Sequence, residues 1–133
     1  MYEKVATVTV ALIYSLTLNN YAHAATNLLS RIVISGKAKR IAAYHSWDRT
    51  CNSLAATVNV VTGPSHGVLV PRVVSRTIKR GTRGSTQCFG QPIKALEILY
   101  KSRPGYRGAD TFVIDVIYGA GFRDTNTYTV TIK

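Results

Sequence analysis

Two stretches near the carboxyl end decide the fold: residues 111–118 read TFVIDVIY and residues 127–133 read TYTVTIK. In both stretches every second residue is a large apolar one, and the residues between them face the opposite side of the strand. Phe112, Ile114 and Val116 therefore share one face. This period of two, with its β-branched and aromatic content, is typical of half-buried β-strands. The residues predicted to be buried in one core are Phe112, Ile114, Val116, Tyr128, Val130 and Ile132.

The same alternation extends upstream between clusters of turn-forming residues. Leu96, Ile98 and Tyr100 share a face while Glu97 lies opposite, and Pro71 marks an edge strand or a bulge. A helical period is not sustained anywhere in residues 25–133, so the pattern predicts an all-β sandwich of two sheets. About seven strands are expected, near residues 31–34, 41–44, 56–60, 68–74, 93–100, 111–118 and 127–133.

The amino terminus has the form of an export signal. Lys4 precedes an apolar run at residues 5–18, two asparagines end the run, and Ala22 and Ala24 supply small residues for a peptidase. The run is shorter than the roughly 20 residues that cross a bilayer. We predict a signal peptide at residues 1–24 and one domain at residues 25–133, periplasmic or secreted, with no membrane span after cleavage.

Cys51 and Cys88 are the only cysteines in the chain. Neither has a CxxC partner or a histidine at ligand spacing, which disfavours a metal site, and a reactive thiol is the other alternative. An even number of cysteines in an exported domain favours a structural disulfide. Its Cα atoms are then expected within about 7 Å.

Basic residues outnumber acidic ones by 17 to 6, giving a net charge of +11. With 46% hydrophobic residues, the chain is too apolar for a disordered polycation and suits a packed domain. Such a charge attracts polyanions, and the basic residues are clustered along the chain. The predicted anion-binding residues are Lys37, Lys39, Arg40, Arg76, Lys79, Arg80 and Arg83, and the stretch 76–84 is expected to form an exposed loop.

A turn motif connects the chain to a known family. The sequences PSHG at residues 64–67 and YKSRPGYRGADTF at residues 100–112, followed by the closing TYTVTI, resemble bacterial immunoglobulin-like or cadherin-like domains of exported and surface proteins. The resemblance covers residues 51–133 and implies an immunoglobulin-like sandwich of the short secreted kind. Within the motif, Pro104, Gly105 and Gly108 suit a tight turn, and Asp110 suits hydrogen bonds to nearby backbone N–H groups.

The sequence contains no strong pattern of catalytic residues. Ser65 and His66 are adjacent in a turn, with no nucleophile elbow and no third orienting group. The acidic residues are scattered, which disfavours a glycosidase pair and a calcium site at Asp110. His45 near Trp47 has the residue types of a sugar-binding rim, but the simpler interpretation is that both residues lie at the half-buried end of a strand. We predict that the protein is not an enzyme and that it has no cofactor and no metal site.

Two functional hypotheses remain from the sequence. The first is a binding module that docks anionic polymer or lipid head groups of the envelope through its basic loops. The alternative is an accessory or adhesive subunit of an envelope assembly that pairs with an envelope protein through an edge strand. A dedicated nucleic-acid reader is not expected.

Overall fold

A computed structural model of the chain describes residues 24–82 and 86–133. Residues 1–23, which make up nearly all of the predicted signal peptide, lie outside the described residues. So does Arg83, one of the predicted anion-binding residues.

The described residues form an all-β fold with one disulfide, as predicted, but with nine strands rather than about seven. The two additional strands, β3 and β4, are two residues long and pair only with each other. A 3₁₀ turn lies at Thr86–Cys88. The strands are β1 Ala24–Val33, β2 Lys39–Tyr44, β3 Ser46–Trp47, β4 Ser53–Leu54, β5 Thr57–Thr62, β6 Gly67–Thr77, β7 Pro92–Ser102, β8 Gly108–Ile117 and β9 Arg123–Ile132.

Two sheets form the sandwich. The four-stranded sheet has the order β1-β9-β8-β5, and the three-stranded sheet has the order β2-β7-β6. Neighbours within each sheet are antiparallel, except that β1 runs parallel to β9 over their whole length. The first and last strands of the described residues therefore lie side by side.

The main core lies between the inner faces of the two sheets. All six residues predicted to be buried are at most 2% exposed, which confirms the register of the two decisive strands. Phe112 of β8 stacks on Tyr128 of β9 with ring centroids 5.0 Å apart, and on Tyr100 of β7 at 6.2 Å. These three rings join the two sheets, since Tyr100 belongs to the three-stranded sheet.

Strand β5 becomes exposed at Val60. The alternation of the sequence puts Ala56, Val58 and Val60 on one face; Ala56 and Val58 pack against the core, whereas Val60 is 54% exposed. The pairing of β5 with β8 shifts register between Val60 and Thr62, and β5 is an edge strand. A bulge of this kind turns the strand away from the core, because it places an extra residue opposite one partner.

A second, smaller cluster of buried residues packs around the disulfide. Cys51 and Cys88 are bonded, with Cα atoms 5.3 Å apart. Ile78 and Ile93 are buried beside Cys88, with Trp47, Cys51 and Phe89 packed against them. The stretch 76–84 is therefore not one projecting loop, because Arg76 lies in β6 and Ile78 is anchored in this cluster.

The edges of the sandwich carry features that disfavour further strand pairing. Arg31 Nε donates a 2.8 Å hydrogen bond to the Ile41 carbonyl, and Lys39 Nζ donates one of 2.7 Å to the Ile32 carbonyl. These side chains tie β1 to β2, which belong to different sheets. Pro71 lies in the middle of edge strand β6, where it removes a backbone donor.

We expect the disulfide to contribute a large share of the domain's stability. It closes a loop with a sequence separation of 37 residues, which the chain-entropy model equates with about 4 kcal/mol. The Cys51→Ser/Cys88→Ser double variant should lower the free energy of unfolding by about that amount in urea titrations. A double variant as stable as the wild-type protein would contradict this assignment.

Candidate functional site

Three arginines from two strands surround one glutamate on the outer surface of the three-stranded sheet. Register places Arg72 of β6 directly opposite Glu97 of β7, and Arg76 lies four residues further along β6, on the same face. Arg40 of β2 reaches Glu97 from the other side of β7. We call the surface formed by Arg40, Arg72, Arg76 and Glu97 the cationic face.

Glu97 accepts hydrogen bonds from all three guanidinium groups. Its Oε1 lies 3.2 Å from Arg40 Nη1 and 2.5 Å from Arg76 Nη2, and its Oε2 lies 2.8 Å from Arg72 Nη2. Arg72 Nε adds a further bond of 3.2 Å to Oε2. The Glu97 side chain is 4% exposed, so it is buried beneath the arginines that bind it.

This environment keeps Glu97 ionised. Hydrogen bonds from Arg76 and Arg72 lower the pKa of Glu97 to about 2, against an opposing effect of burial. Three positive charges therefore meet one negative charge, and two positive charges remain uncompensated. The register puts no second acidic residue on this surface of β2, β7 and β6.

The arginines remain accessible although Glu97 holds them. The side chains of Arg40 and Arg72 are more than half exposed, and that of Arg76 is one-third exposed. A guanidinium carries five N–H donors, whereas Glu97 accepts four hydrogen bonds from the three groups together. Most of these donors are thus not used by the carboxylate.

His45 borders the cationic face beyond the end of β2. Its ring stacks on Trp47 with centroids 5.9 Å apart. Burial and the positive charge of Arg76 lower the pKa of His45, which favours a neutral ring. Within the described residues, His45 Nδ1 and Arg76 Nε are buried atoms without a hydrogen-bond partner.

Of the predicted anion-binding residues that the structure describes, only Arg40 and Arg76 come together, at Glu97. Lys39 binds the Ile32 carbonyl, and Lys37 is exposed in the turn between β1 and β2. Lys79 and Arg80 are exposed in the loop after β6, beyond the buried Ile78.

Sequence reasoning did not identify Glu97 as the centre of the cluster, although a signal was present. Arg72 and Arg76 are four residues apart, a spacing that puts two residues of one strand on the same face, but the predicted strand ended at Val74 whereas β6 continues to Thr77. Glu97 is the single acidic residue on its strand, opposite the buried side. Which strands are neighbours was the missing information.

Asp110, from the predicted turn motif, organises the other end of the sandwich. Its Oδ1 accepts 2.9 Å hydrogen bonds from the backbone N–H groups of Ser65 and Thr111. Its Oδ2 accepts from the His66 N–H at 2.9 Å and from the Tyr100 hydroxyl at 2.8 Å. Burial alone would raise the pKa of Asp110, but these hydrogen bonds outweigh it and hold the pKa below the ordinary value.

The remaining turn residues have conformational roles. Gly105 and Gly108 have φ angles of +83° and +135°, which residues with a side chain rarely adopt. His66 stacks on Tyr106 with centroids 3.9 Å apart, so the ring packs on the turn. Pro104 lines a shallow open groove with Gly67, Val68 and Lys101.

The described residues contain neither a metal-binding cluster nor a helix that could span a membrane. Among residues 24–82 and 86–133, no group of three His, Cys, Asp or Glu side chains is placed to hold a metal ion. The same part of the chain contains no helix long and apolar enough to cross a membrane.

Comparison with known proteins gives little further information. Neither a protein-family model nor a curated protein matches the chain. A crystal structure of the 2,6-sialyltransferase of Photobacterium sp. JT-ISH-224, with CMP and lactose, aligns with 82% of this chain at 7% identity and a TM-score of 0.31. The chain spans 18% of that protein, and a likeness this low carries no argument about fold or activity.

We expect Asp110→Asn to destabilise the domain by roughly 2–4 kcal/mol. The amide nitrogen of asparagine cannot accept a hydrogen bond, so one pair of donors on the buried carboxylate loses its acceptor. Tyr100→Phe removes one of the four hydrogen bonds and should cost about 1 kcal/mol. Urea denaturation measures both, and equal losses for the two variants would contradict the central role of Asp110.

The low pKa of Glu97 predicts a specific acid sensitivity. Because the pKa in the folded protein lies below the ordinary 4.5, the stabilisation is complete above pH 4.5 and is lost as the pH falls towards 2. The Glu97→Gln variant should be less stable than wild type at pH 7, and this difference should shrink as the pH approaches 2. A stability difference that is independent of pH, measured by urea midpoints, would contradict the ionised state of Glu97.

Proposed function

We propose that this domain is an exported, non-enzymatic binding module that docks on anionic polymer or lipid head groups of the cell envelope through its cationic face. The observation that carries the proposal is the convergence of Arg40, Arg72 and Arg76 on the single carboxylate of Glu97. The face keeps two uncompensated positive charges and exposes arginine donors to solvent.

The chemistry of arginine suits this role. A planar guanidinium binds carboxylate, sulfate and phosphate oxygens through paired hydrogen bonds. Glu97 holds the three groups in one orientation, so that less side-chain freedom is lost when a ligand binds. Loop cations such as Lys79 and Arg80 contribute to the field that attracts a polyanion, but no carboxylate fixes them in the described structure.

Export and family membership are part of the same proposal. The disulfide between Cys51 and Cys88 is of a kind that persists in oxidising compartments. The positive φ angles at Gly105 and Gly108, together with the Asp110 contacts, give the turn motif a structural role, which supports the resemblance of this motif to that of bacterial immunoglobulin-like domains. We therefore infer a periplasmic or secreted domain of that kind.

Strand addition to a partner protein has weaker support. Pro71 interrupts the donors of edge strand β6, and the bulge at Val60 distorts edge strand β5. Arg31 and Lys39 cross from one sheet to the other at the β1 and β2 edges. All four edges thus carry a feature that natural sheets use against pairing.

The test is retention of the domain on heparin, used as a model polyanion. Arg40→Gln/Arg72→Gln removes two charges from the cationic face, while each glutamine side chain retains N–H donors. We expect binding to weaken at least tenfold, about 1.4 kcal/mol. Elution should also occur at lower salt, because fewer counterions are released on binding.

A matched control separates the cationic face from the overall charge. Lys37→Gln/Arg107→Gln also removes two positive charges, from exposed turn positions away from Glu97. If attraction is general, both double variants will lose the same affinity, and the cationic face has no special role. If wild type elutes from heparin at physiological salt, the polyanion-binding function itself is wrong.

A further inference from the structure

An exposed apolar patch lies directly beside the cationic face. It consists of Val68 and Val70 on β6 and Leu99 on β7. Register pairs Val70 with Leu99, and it places all three on the outer surface together with Glu97. Val68 is 56% exposed and Val70 is 47% exposed, whereas Leu99 is half-buried.

Cations border this patch in three directions. Arg40 lies opposite Leu99 on the β2 side, and Arg72 follows Val70 on the same face of β6. Lys101 lies opposite Val68 and is exposed. The outer surface thus presents apolar side chains in its middle and positive charges around them.

We propose that this surface docks on an anionic phospholipid bilayer, with Val68 and Val70 entering the boundary between head groups and acyl chains. The inference rests on the proposed function, since Arg40, Arg72 and Lys101 would bind the lipid phosphates. Apolar side chains flanked by Lys and Arg are the arrangement by which peripheral proteins hold an anionic membrane.

A polysaccharide is the poorer ligand for this surface. A hydrophilic polyanion would bind the arginines but would leave the two exposed valines in water. Apolar surface contributes favourable free energy to binding only when it is removed from water. Anionic lipid satisfies both parts. The nearby Pro71 also lacks a backbone N–H, so edge strand β6 has one donor fewer to desolvate at the membrane.

The experiment measures co-sedimentation of the domain with vesicles of phosphatidylcholine alone or mixed with phosphatidylglycerol. Wild type should bind the anionic vesicles and not the neutral ones. Part of this binding should survive about 1 M salt, where charge interactions are screened within roughly 3 Å. Heparin binding should not survive, because it has no apolar component.

Valine substitutions separate the apolar contribution from charge. Val68→Ser/Val70→Ser should reduce binding to anionic vesicles at least tenfold and leave heparin elution unchanged. The control is Val60→Ser/Val61→Ser on β5, since these valines are 54% and 59% exposed on the other sheet; it should bind vesicles like wild type. If the serine variant at positions 68 and 70 unfolds, Val68→Thr/Val70→Thr keeps the shape and the strand preference and should show a smaller loss in the same direction.

The outcomes distinguish the two proposals. Binding to heparin without binding to anionic vesicles would overturn the lipid inference and leave the cationic face as a polymer site. Equal vesicle binding by the two serine variants would also overturn it. If the domain binds neither heparin nor anionic vesicles, the proposed function is overturned as well.

Discussion

The buried carboxylate of Asp110, which accepts four hydrogen bonds, is the group that connects the two sheets and the turn leading into β6. Tyr100 belongs to the central strand of the three-stranded sheet and Asp110 to the four-stranded sheet, so the 2.8 Å hydrogen bond between them joins the two layers inside the core. The same carboxylate holds the Ser65–His66 turn between β5 and β6. The tyrosine ring leaves no room for a side chain at Gly67, where a Cβ would lie 2.7 Å from it. One buried pair thus fixes the spacing of the sheets and the entry of β6.

Strand β7 transmits this constraint to the outer surface. Because Tyr100 and Ile98 lie in the core, the alternation of the strand places Glu97 and Leu99 on the outer surface of the sheet. Burying a carboxylate is unfavourable unless hydrogen-bond donors or positive charges surround it. Arginines on both flanking strands meet that requirement, so the ionic cluster follows from the register of a core strand. Its excess positive charge is a property of the fold rather than of a flexible loop.

The sequence allowed the strands and their faces to be predicted because alternation is local. Phe112 and Tyr128 could be placed in the core without knowing which strands are neighbours. The parallel pairing of β1 with β9 could not be predicted, since it joins residues about a hundred positions apart, such as Asn27 and Asn126. The small hairpin of β3 and β4 was also missed, because strands of two residues carry no periodic signal.

The candidate site shows the same division more sharply. A cluster defined by sequence proximity combined Arg76 with Lys79 and Arg80, but a buried Ile78 separates the face of β6 from the loop that follows it. Arg40 and Arg76 are 36 positions apart and nevertheless share one carboxylate. Charge clustering along a chain therefore locates basic segments, whereas the geometry of a binding surface depends on strand order. For a sandwich with only five acidic residues after position 24, the position of each acid relative to that order is the more informative signal, because it decides which cations are neutralised and which remain available to a ligand.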